Sequence, residues 1–305
     1  MDPQAGVEAG DVSIVIVTYN SAGVIERCLA SLRAHVPGAE VIVVDNASGD
    51  GSAELAERAL PSARVIRRRR NDGLAAGVNE GAAAAGGRYV MALNPDTRLT
   101  SDAITPLARY LAAHPDVGIV APRLLDEDGT LQLSCRRFPG YGTAFFGRYA
   151  PLTRLLPRNR WSRAYLMQDY DHASERDVDW VSGAAMLFSR AVWERLGGWD
   201  AGFFMFSEDV DFCRRMHEAG LRVVYYPHVA LYHTIGVSRS APPRMIIARH
   251  RSMWRYYRKH MRGNVALDAV TAAGIVARCG LQLAAAMASR VIRGMQARAG
   301  AARDA

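Results

Sequence analysis

The sequence predicts an open α/β sheet followed by a basic helical tail. Three observations predict it. Short β-branched apolar runs alternate with Ala-rich stretches through the first half of the 305 residues, the pattern of strands and covering helices. The runs are continuously apolar, as in a parallel sheet buried on both faces. Charge is unevenly placed: residues 244–305 hold 12 Arg/Lys and 2 Asp/Glu, whereas residues 1–243 hold 26 and 28. The body is near neutral and the tail strongly basic.

In chain order, Ser13–Val17, Val41–Val44, Arg64–Ile66 and Tyr89–Leu93 read as buried strands. Ala22–Ala34, Ser52–Ala59 and Leu74–Ala85 read as the helices between them, with Ser52 as an N-cap. Ser101–Ala113 is a further helix and Val117–Ala121 a further strand. Leu124–Leu133 reads as a hairpin turning at Asp126–Gly129. Pro139–Asp177 is irregular, and its stretch Tyr141–Tyr165 carries five arginines, no acids and many apolar groups. That stretch packs as a loop, closes as a lid or meets a lipid-linked ligand. Regular structure resumes at Val178, with a helix at Asp209–Ala219 and strands at Arg222–Tyr226 and Ala230–His233. Beyond Pro242–Pro243, Ile246, Met253, Trp254, Tyr257 and Met261 recur at helical spacing among basic residues, which marks an amphipathic helix.

Composition excludes several classes. With 50% hydrophobic and 22% charged residues, the chain is not a disordered or collagen-like polymer. Cys28, Cys135, Cys213 and Cys279 are far apart and form no C-x-x-C, so neither a zinc site nor a disulfide framework is expected, and a reduced, cytoplasmic compartment is. The first 11 residues hold Asp2, Glu8 and Asp11 and no basic group, unlike a signal peptide. The apolar stretch 265–292 is interrupted by Asp268, Arg278 and Arg290, and reads as lying on a surface rather than crossing a bilayer. Surface Lys and Arg contribute about 1 kcal/mol each on an anionic membrane, so the tail suits peripheral attachment. It also suits docking on protein, including a homo-oligomer through the C-terminal helices. No nucleic-acid module accompanies the charge, so nucleic acid is not an expected partner.

Ligands of open α/β sheets sit beyond the carboxyl ends of the strands. There the first strand runs into Thr18-Tyr19-Asn20, the second into Asp45-Asn46 and a Gly/Ser/Asp loop, and the fourth into Asn94-Pro95-Asp96-Thr97. Each loop alone is an ordinary turn; three on one edge point to a nucleotide site. The first strand lacks a following G-x-G-x-x-G, which argues against a dinucleotide-binding dehydrogenase. Asn71-Asp72-Gly73 opens a helix whose free N–H groups favour an anion such as a diphosphate, and one or two of Arg67–Arg70 are placed to face phosphates. Asp96 suits Mg²⁺ or Mn²⁺, which take oxygen ligands and need only one or two protein carboxylates. Glu208, Asp209 and Asp211 follow an aromatic run; they serve as helix-start acids, or one serves as a general base. His233 ends a strand and is a candidate metal ligand.

Taken together, VTYN, DNASGDGS, NDGLAAGVNEG, LNPDT, GAAML, GGWDAGFFMFSEDVDFCRR and LYHTIGVS, in that order, resemble glycosyltransferase family 2 over residues 12–240. The LNPDT and FFMFSEDVD forms look most like bacterial rhamnosyltransferases of cell-surface polysaccharide synthesis. The resemblance implies a GT-A fold, Rossmann-like and nucleotide-sugar-binding, with a donor half at about 12–121 and an acceptor half at about 122–240, to which composition adds the basic amphipathic helical tail at 244–300. It implies a dTDP- or UDP-sugar donor, a divalent metal, a glycan or polyprenyl-linked acceptor and inversion at the anomeric carbon. By position, Thr18, Tyr19, Asn20, Asp45 and Asn46 match the nucleoside site, and Asn71, Gly73, Asn79 and Asn94 the rest of the donor site. Asp96 and His233 match metal ligands, and Asn94 replaces the first acid of the family's D-x-D. Asp209 matches the catalytic base, flanked by Glu208 and Asp211, and Gly183, Ala184 and Trp199 the acceptor side. A non-catalytic scaffold would be expected to have lost these acids; all are present.

Overall fold

The computed structural model describes residues 6–141, 159–234 and 242–301, with side chains in the last stretch through 289. Residues 142–158, most of the basic aromatic stretch, lie outside it, as do 235–241 and the end of the LYHTIGVS motif. The chain forms two compact units, residues 1–204 with 208–235, and residues 205–207 with 236–305.

The first unit is a mixed sheet. Its strands in chain order are β1 (Val12–Thr18), β2 (Glu40–Asp45), β3 (Arg64–Arg67), β4 (Tyr89–Leu93), β5 (Thr97–Arg98), β6 (Val117–Leu125), β7 (Leu131–Gln132), β8 (Cys135–Arg136), β9 (Arg176–Asp177), β10 (Trp180–Val181), β11 (Ala185–Ser189) and β12 (Arg222–His233). They lie in the order β3-β2-β1-β4-β11-β6-β12-β5, with β7 on β6 and β9 on β12; β8 and β10 form a separate pair. The four strands read from the first half of the sequence are parallel to one another. β11 enters antiparallel between β4 and β6, and β5 lies antiparallel to β12. The parallel reading of those four strands holds, and the later strands make the whole sheet mixed.

All seven residues of β1 are buried. Fully burying one Val or Ile contributes about 1.5–3 kcal/mol, so the central strands carry much of the core energy. The helix Leu74–Ala84 reaches β1 closely because of two glycines one turn apart. A Cβ at Gly77 would come within 2.7 Å of Val17 Cγ1, and one at Gly81 within 2.3 Å of Val15 Cγ1.

Other boundaries shift for local reasons. Gly51 (φ 83°), not Ser52, caps the helix Ser52–Ala59. The helix expected from Ser101 begins at Thr105, because the Asp102 carboxylate accepts from the Ile104 and Thr105 amides, 3.0 and 2.9 Å. The two strands expected at Arg222–Tyr226 and Ala230–His233 are one strand with a register shift between Tyr226 and Ala230. The hairpin forms as expected, with Leu124 opposite Gln132 and the Gly129 amide bonded to the Asp126 carbonyl. Within the irregular region, Asn159 caps a short helix, Arg160–Tyr165.

The second unit contains the helices Pro243–His260 and Val265–Ala301. Tyr257 Oη donates to Asp268, 2.7 Å, Arg262 stands 3.4 Å from the same carboxylate, and Arg249 donates to Gln282 Oε1, 2.5 Å. The segment Val265–Ser289 is long and apolar enough to cross a membrane by length and composition, with mean hydropathy 1.5. Two of the three interrupting charges, Asp268 and Arg278, lie within that segment and do not prevent it from meeting the criterion.

Candidate active site

The carboxyl ends of β1, β2 and β4 share one edge of the sheet, and the predicted polar loops meet there. Thr18 and Asp45 are register partners. Asp45 Oδ2 accepts from the Ser48 amide, 3.0 Å. Asp45 Oδ1 and Thr18 Oγ1 are buried and have no hydrogen-bond partner among the described residues. A buried polar atom left unpaired costs about 1–3 kcal/mol. Two such atoms on register partners at a strand end could be satisfied by a polar ligand.

The surrounding loops are braced against each other. Asn20, in the left-handed region (φ 52°), exchanges bonds with the neighbouring loop: its amide donates to Ser48 Oγ and its Oδ1 accepts from Gly49, both 2.9 Å. Tyr19 keeps 38% of its surface exposed. Asn46 is buried; its Nδ2 donates to the Gly73 carbonyl, 3.1 Å, and its Oδ1 accepts from Arg68, 2.9 Å. Arg68 also meets Asp72 and Glu80, at 3.1 and 2.8 Å. Arg67 is paired with Glu54 and Glu57, and Arg70 with Asp72. Three members of the arginine run, Arg67, Arg68 and Arg70, are thus paired with carboxylates.

Asn71 Oδ1 accepts from the Gly73 amide, 2.9 Å, at the mouth of the helix Leu74–Ala84. The Leu74 amide donates to the Phe204 carbonyl, 2.8 Å, so one of the N–H groups at that helix end is already used. Asn79 lies within the helix and spends its amide on structure: Nδ2 donates to the Trp199 carbonyl, 2.7 Å, and Oδ1 accepts from the Trp199 amide, 2.8 Å.

Next to β4, the Asn94 amide donates to the Ala184 carbonyl, 2.9 Å. Asn94 Nδ2 lies 3.4 Å from His233 Nε2, which in turn lies 3.4 Å from Asp96 Oδ1. The antiparallel pairing of His233 with Thr97 makes this contact across 137 residues of chain. Asp96 Oδ1 is buried and accepts no hydrogen bond among the described residues. An oxygen anion and an imidazole nitrogen facing one point fit a hard divalent cation. Among the described residues no three His, Cys, Asp or Glu side chains cluster, so a cation there would complete its shell from water and ligand oxygens.

Asp209 stands in the first turn of the helix Glu208–Glu218. Its Oδ2 accepts from the Gly183 amide, 3.0 Å, and its Oδ1 from the Val210 amide, 2.8 Å. Desolvation by the surrounding protein raises its pKa above the ordinary carboxylate value, a shift only partly offset by those two amides and by Arg136. Gly183 must be small: a Cβ there would lie 3.1 Å from Trp199 Cη2 and 3.2 Å from Asp209 Cβ. Trp199 is buried against Phe212, ring centroids 5.8 Å apart. Glu208 and Asp211 are both buried. Asp211 pairs with Arg215, 2.9 Å, and Arg215 holds the Leu196 and Gly198 carbonyls, 2.9 and 2.7 Å. Asp211 therefore supports the turn that leads into Trp199.

Asp96 and His233 meet directly, and the chain Asp209–Gly183–Ala184–Asn94–His233 connects the carboxylate at 209 to them contact by contact. One participant went unnoticed in the sequence, Gln132, and Arg68 was singled out only as a member of the arginine run, not as the partner of Asn46. Gln132 is 5% exposed and its Oε1 lies 2.9 Å from His233 Nδ1. An amide flanked by leucines in a short apolar strand was the available signal.

Residues 13–195 match the family model described as Glycosyl transferase family 2. An N-acetylglucosaminyl-diphospho-decaprenol L-rhamnosyltransferase of Mycobacterium tuberculosis is 32% identical over 279 residues, covering 83% of this chain and 90% of the relative. The rhamnosyltransferase WbbL of Escherichia coli is 26% identical, covering 71% and 80%. Among solved structures, the mannosyltransferase PcManGT from Pyrobaculum calidifontis, in complex with GDP-Man and Mn2+, superposes with a TM-score of 0.57 at 20% identity, covering 98% of this chain and 81% of that one. The chain thus belongs to glycosyl transferase family 2, and it is a glycosyltransferase built on the GT-A fold.

Proposed function

We propose that the protein moves L-rhamnose from dTDP-rhamnose, with inversion, to a hydroxyl of a lipid-linked or growing cell-surface glycan. The observation that carries this reading is the 32% identity, over nearly the whole of both chains, to a rhamnosyltransferase named for a polyprenyl-linked acceptor.

In this reading the unpaired Asp45 Oδ1 accepts the base imide N–H, Thr18 Oγ1 pairs with a neighbouring polar atom of the nucleoside, and Tyr19 packs on it. Asn20 and Asn46 hold the two loops around that site. Asn71 and Gly73 shape the approach to the diphosphate, and Asn79 fixes Trp199 on the acceptor side with Gly183 and Ala184. Asp96 and His233 would hold Mg²⁺ or Mn²⁺ beside Asn94. A bound divalent ion supplies positive charge against the departing diphosphate.

Asp209 takes the proton from the acceptor hydroxyl. The freed oxygen pair forms a bond to the anomeric carbon from the face opposite the diphosphate, and the old carbon–oxygen bond breaks with its electrons going to the diphosphate. One displacement inverts the centre. Glu208 and Asp211 support the position of Asp209 from the same helix turn.

In this reading the tail attaches the enzyme to the cytoplasmic face of a membrane. Val265, Val270, Val276, Leu281 and Met287 are all more than 60% exposed, and every exposed residue between 265 and 289 is uncharged. The preceding helix supplies exposed Arg244, Arg251, Arg255, Arg258 and Lys259. Apolar surface beside positive charge suits an anionic bilayer.

A donor panel tests the reading. With Mn²⁺ or Mg²⁺, dTDP-rhamnose should raise the melting temperature most and be turned over on a polyprenyl-diphosphate N-acetylglucosamine acceptor. Stabilisation and turnover by a UDP-hexose or UDP-N-acetylhexosamine instead would replace the rhamnosyl assignment with the alternative donor.

A further inference from the structure

We propose that Gln132 is a positioning residue that holds His233 as the Nδ1–H tautomer and so aims a bare Nε2 lone pair at Asp96. The inference rests on the reading above only in making that lone pair a cation ligand.

Gln132 is oriented by what it can donate to. Its Nε2 lies 2.7 Å from Asp126 Oδ1 and 2.6 Å from the His233 carbonyl, and both of these only accept. The amide cannot be turned round without facing oxygens with oxygen. Its Oε1 must then point to His233 Nδ1, 2.9 Å away, and an oxygen there calls for a proton on that nitrogen. Asn94 Nδ2 approaches the other ring nitrogen at 3.4 Å, a donor that suits a lone pair and not an N–H. The Asp126 anchor is itself stable: its backbone amide donates to the Thr130 carbonyl in the hairpin turn, 2.8 Å. The hairpin thus acts through Gln132 on a histidine 101 residues further along the chain. It leaves His233 Nε2 and Asp96 Oδ1, both acceptors, 3.4 Å apart and directed at one place. Partners behind a metal-binding histidine commonly change metal affinity about 10–100-fold when removed.

The test uses the full chain labelled with ¹⁵N-histidine at mildly alkaline pH, without metal, and reads the two ring nitrogens of His233 by long-range ¹H–¹⁵N correlation. The expected pattern is a protonated Nδ1 and an unprotonated Nε2. Gln132→Met should abolish that bias and weaken Mn²⁺ binding, followed by electron paramagnetic resonance, by roughly 10–100-fold. An Nε2–H tautomer in the wild type overturns the inference, even if Gln132→Met fails to fold. Equal Mn²⁺ affinity in wild type and folded Gln132→Met also overturns it. A wild type with the expected tautomer that binds no Mn²⁺ overturns the metal-site reading instead, and leaves the role of Gln132 in setting the tautomer standing.

Discussion

The carbonyl oxygen of Phe204 lies 2.0 Å from where a Cβ on Gly73 would stand. Gly73 also has φ 95°, a left-handed backbone that L side chains rarely adopt. The same carbonyl accepts from Leu74, so the contact locks the start of the helix Leu74–Ala84 to the segment just before the acid cluster.

Gly73→Ala should therefore be far worse than an ordinary glycine replacement. Gly129→Ala is the control, since it has φ 83° but nothing within 4 Å. The control should lose about 1–2 kcal/mol, the cost of the left-handed conformation alone. Gly73→Ala should lose more, because backbone must move as well. Urea unfolding of both variants measures the difference, and equal losses would show that the Phe204 contact carries no constraint.

Thr18→Val separates stability from binding. The hydroxyl it removes is buried and unpaired, so the unliganded fold should keep its stability to within about 1 kcal/mol or gain slightly. Nucleotide affinity should fall by up to about tenfold, the worth of one hydrogen bond. Chemical denaturation and calorimetric titration with dTDP give the two numbers. Unchanged affinity would remove Thr18 from the nucleoside site.

Much of this edge could be read in advance, and the reasons are local. Continuous apolar runs identify β1, β2 and β4, and the residue that ends each run is by construction at the sheet's carboxyl edge. The Asp126–Gly129 turn is likewise encoded in adjacent residues. The antiparallel entry of β11 was not legible, because an apolar run has the same appearance in either direction. Arg68 and Gln132 were not legible as site residues because their meaning depends on Asn46 and His233, which only the fold brings near. Asn79 was placed among donor-site residues by its motif, yet its amide faces Trp199, 120 residues away. The run of arginines shows the same limit: its partners Glu54, Glu57 and Glu80 are set by helix packing, which charge spacing does not reveal.

Asp209→Asn should reduce turnover by about 10²–10⁴-fold, the usual contribution of a general base, while leaving donor affinity nearly unchanged. The pH dependence has a definite sign. Burial raises the folded-state pKa of Asp209 above its ordinary value of 3.8, so the folded protein binds its proton more tightly than the unfolded chain. Its contribution to stability is then greatest below the ordinary value and declines as pH rises through the raised one. The stability difference between wild type and Asp209→Asn should decline over that window, while wild-type kcat rises as the base ionises. Parallel urea curves across pH, together with rate profiles, check both. A difference that grows with pH would contradict the burial argument.

The tail can be tested through single charges on its apolar face. Val276 is 70% exposed and Leu281 is 70% exposed, so neither supports the core. A charge at either site should leave melting temperature nearly unchanged, since exposed substitutions stay within about 0.5 kcal/mol. On a bilayer the same charge must enter or border hydrocarbon. Val276→Asp with Leu281→Asp should abolish flotation with anionic vesicles, whereas Arg255→Gln with Arg258→Gln should weaken it and make it more sensitive to salt. Neutral phosphatidylcholine vesicles separate the two contributions, because the apolar face alone acts there. If the aspartate pair leaves flotation intact but dissociates a dimer in sedimentation velocity, the exposed face belongs to a second copy of the chain and its assignment to the bilayer fails.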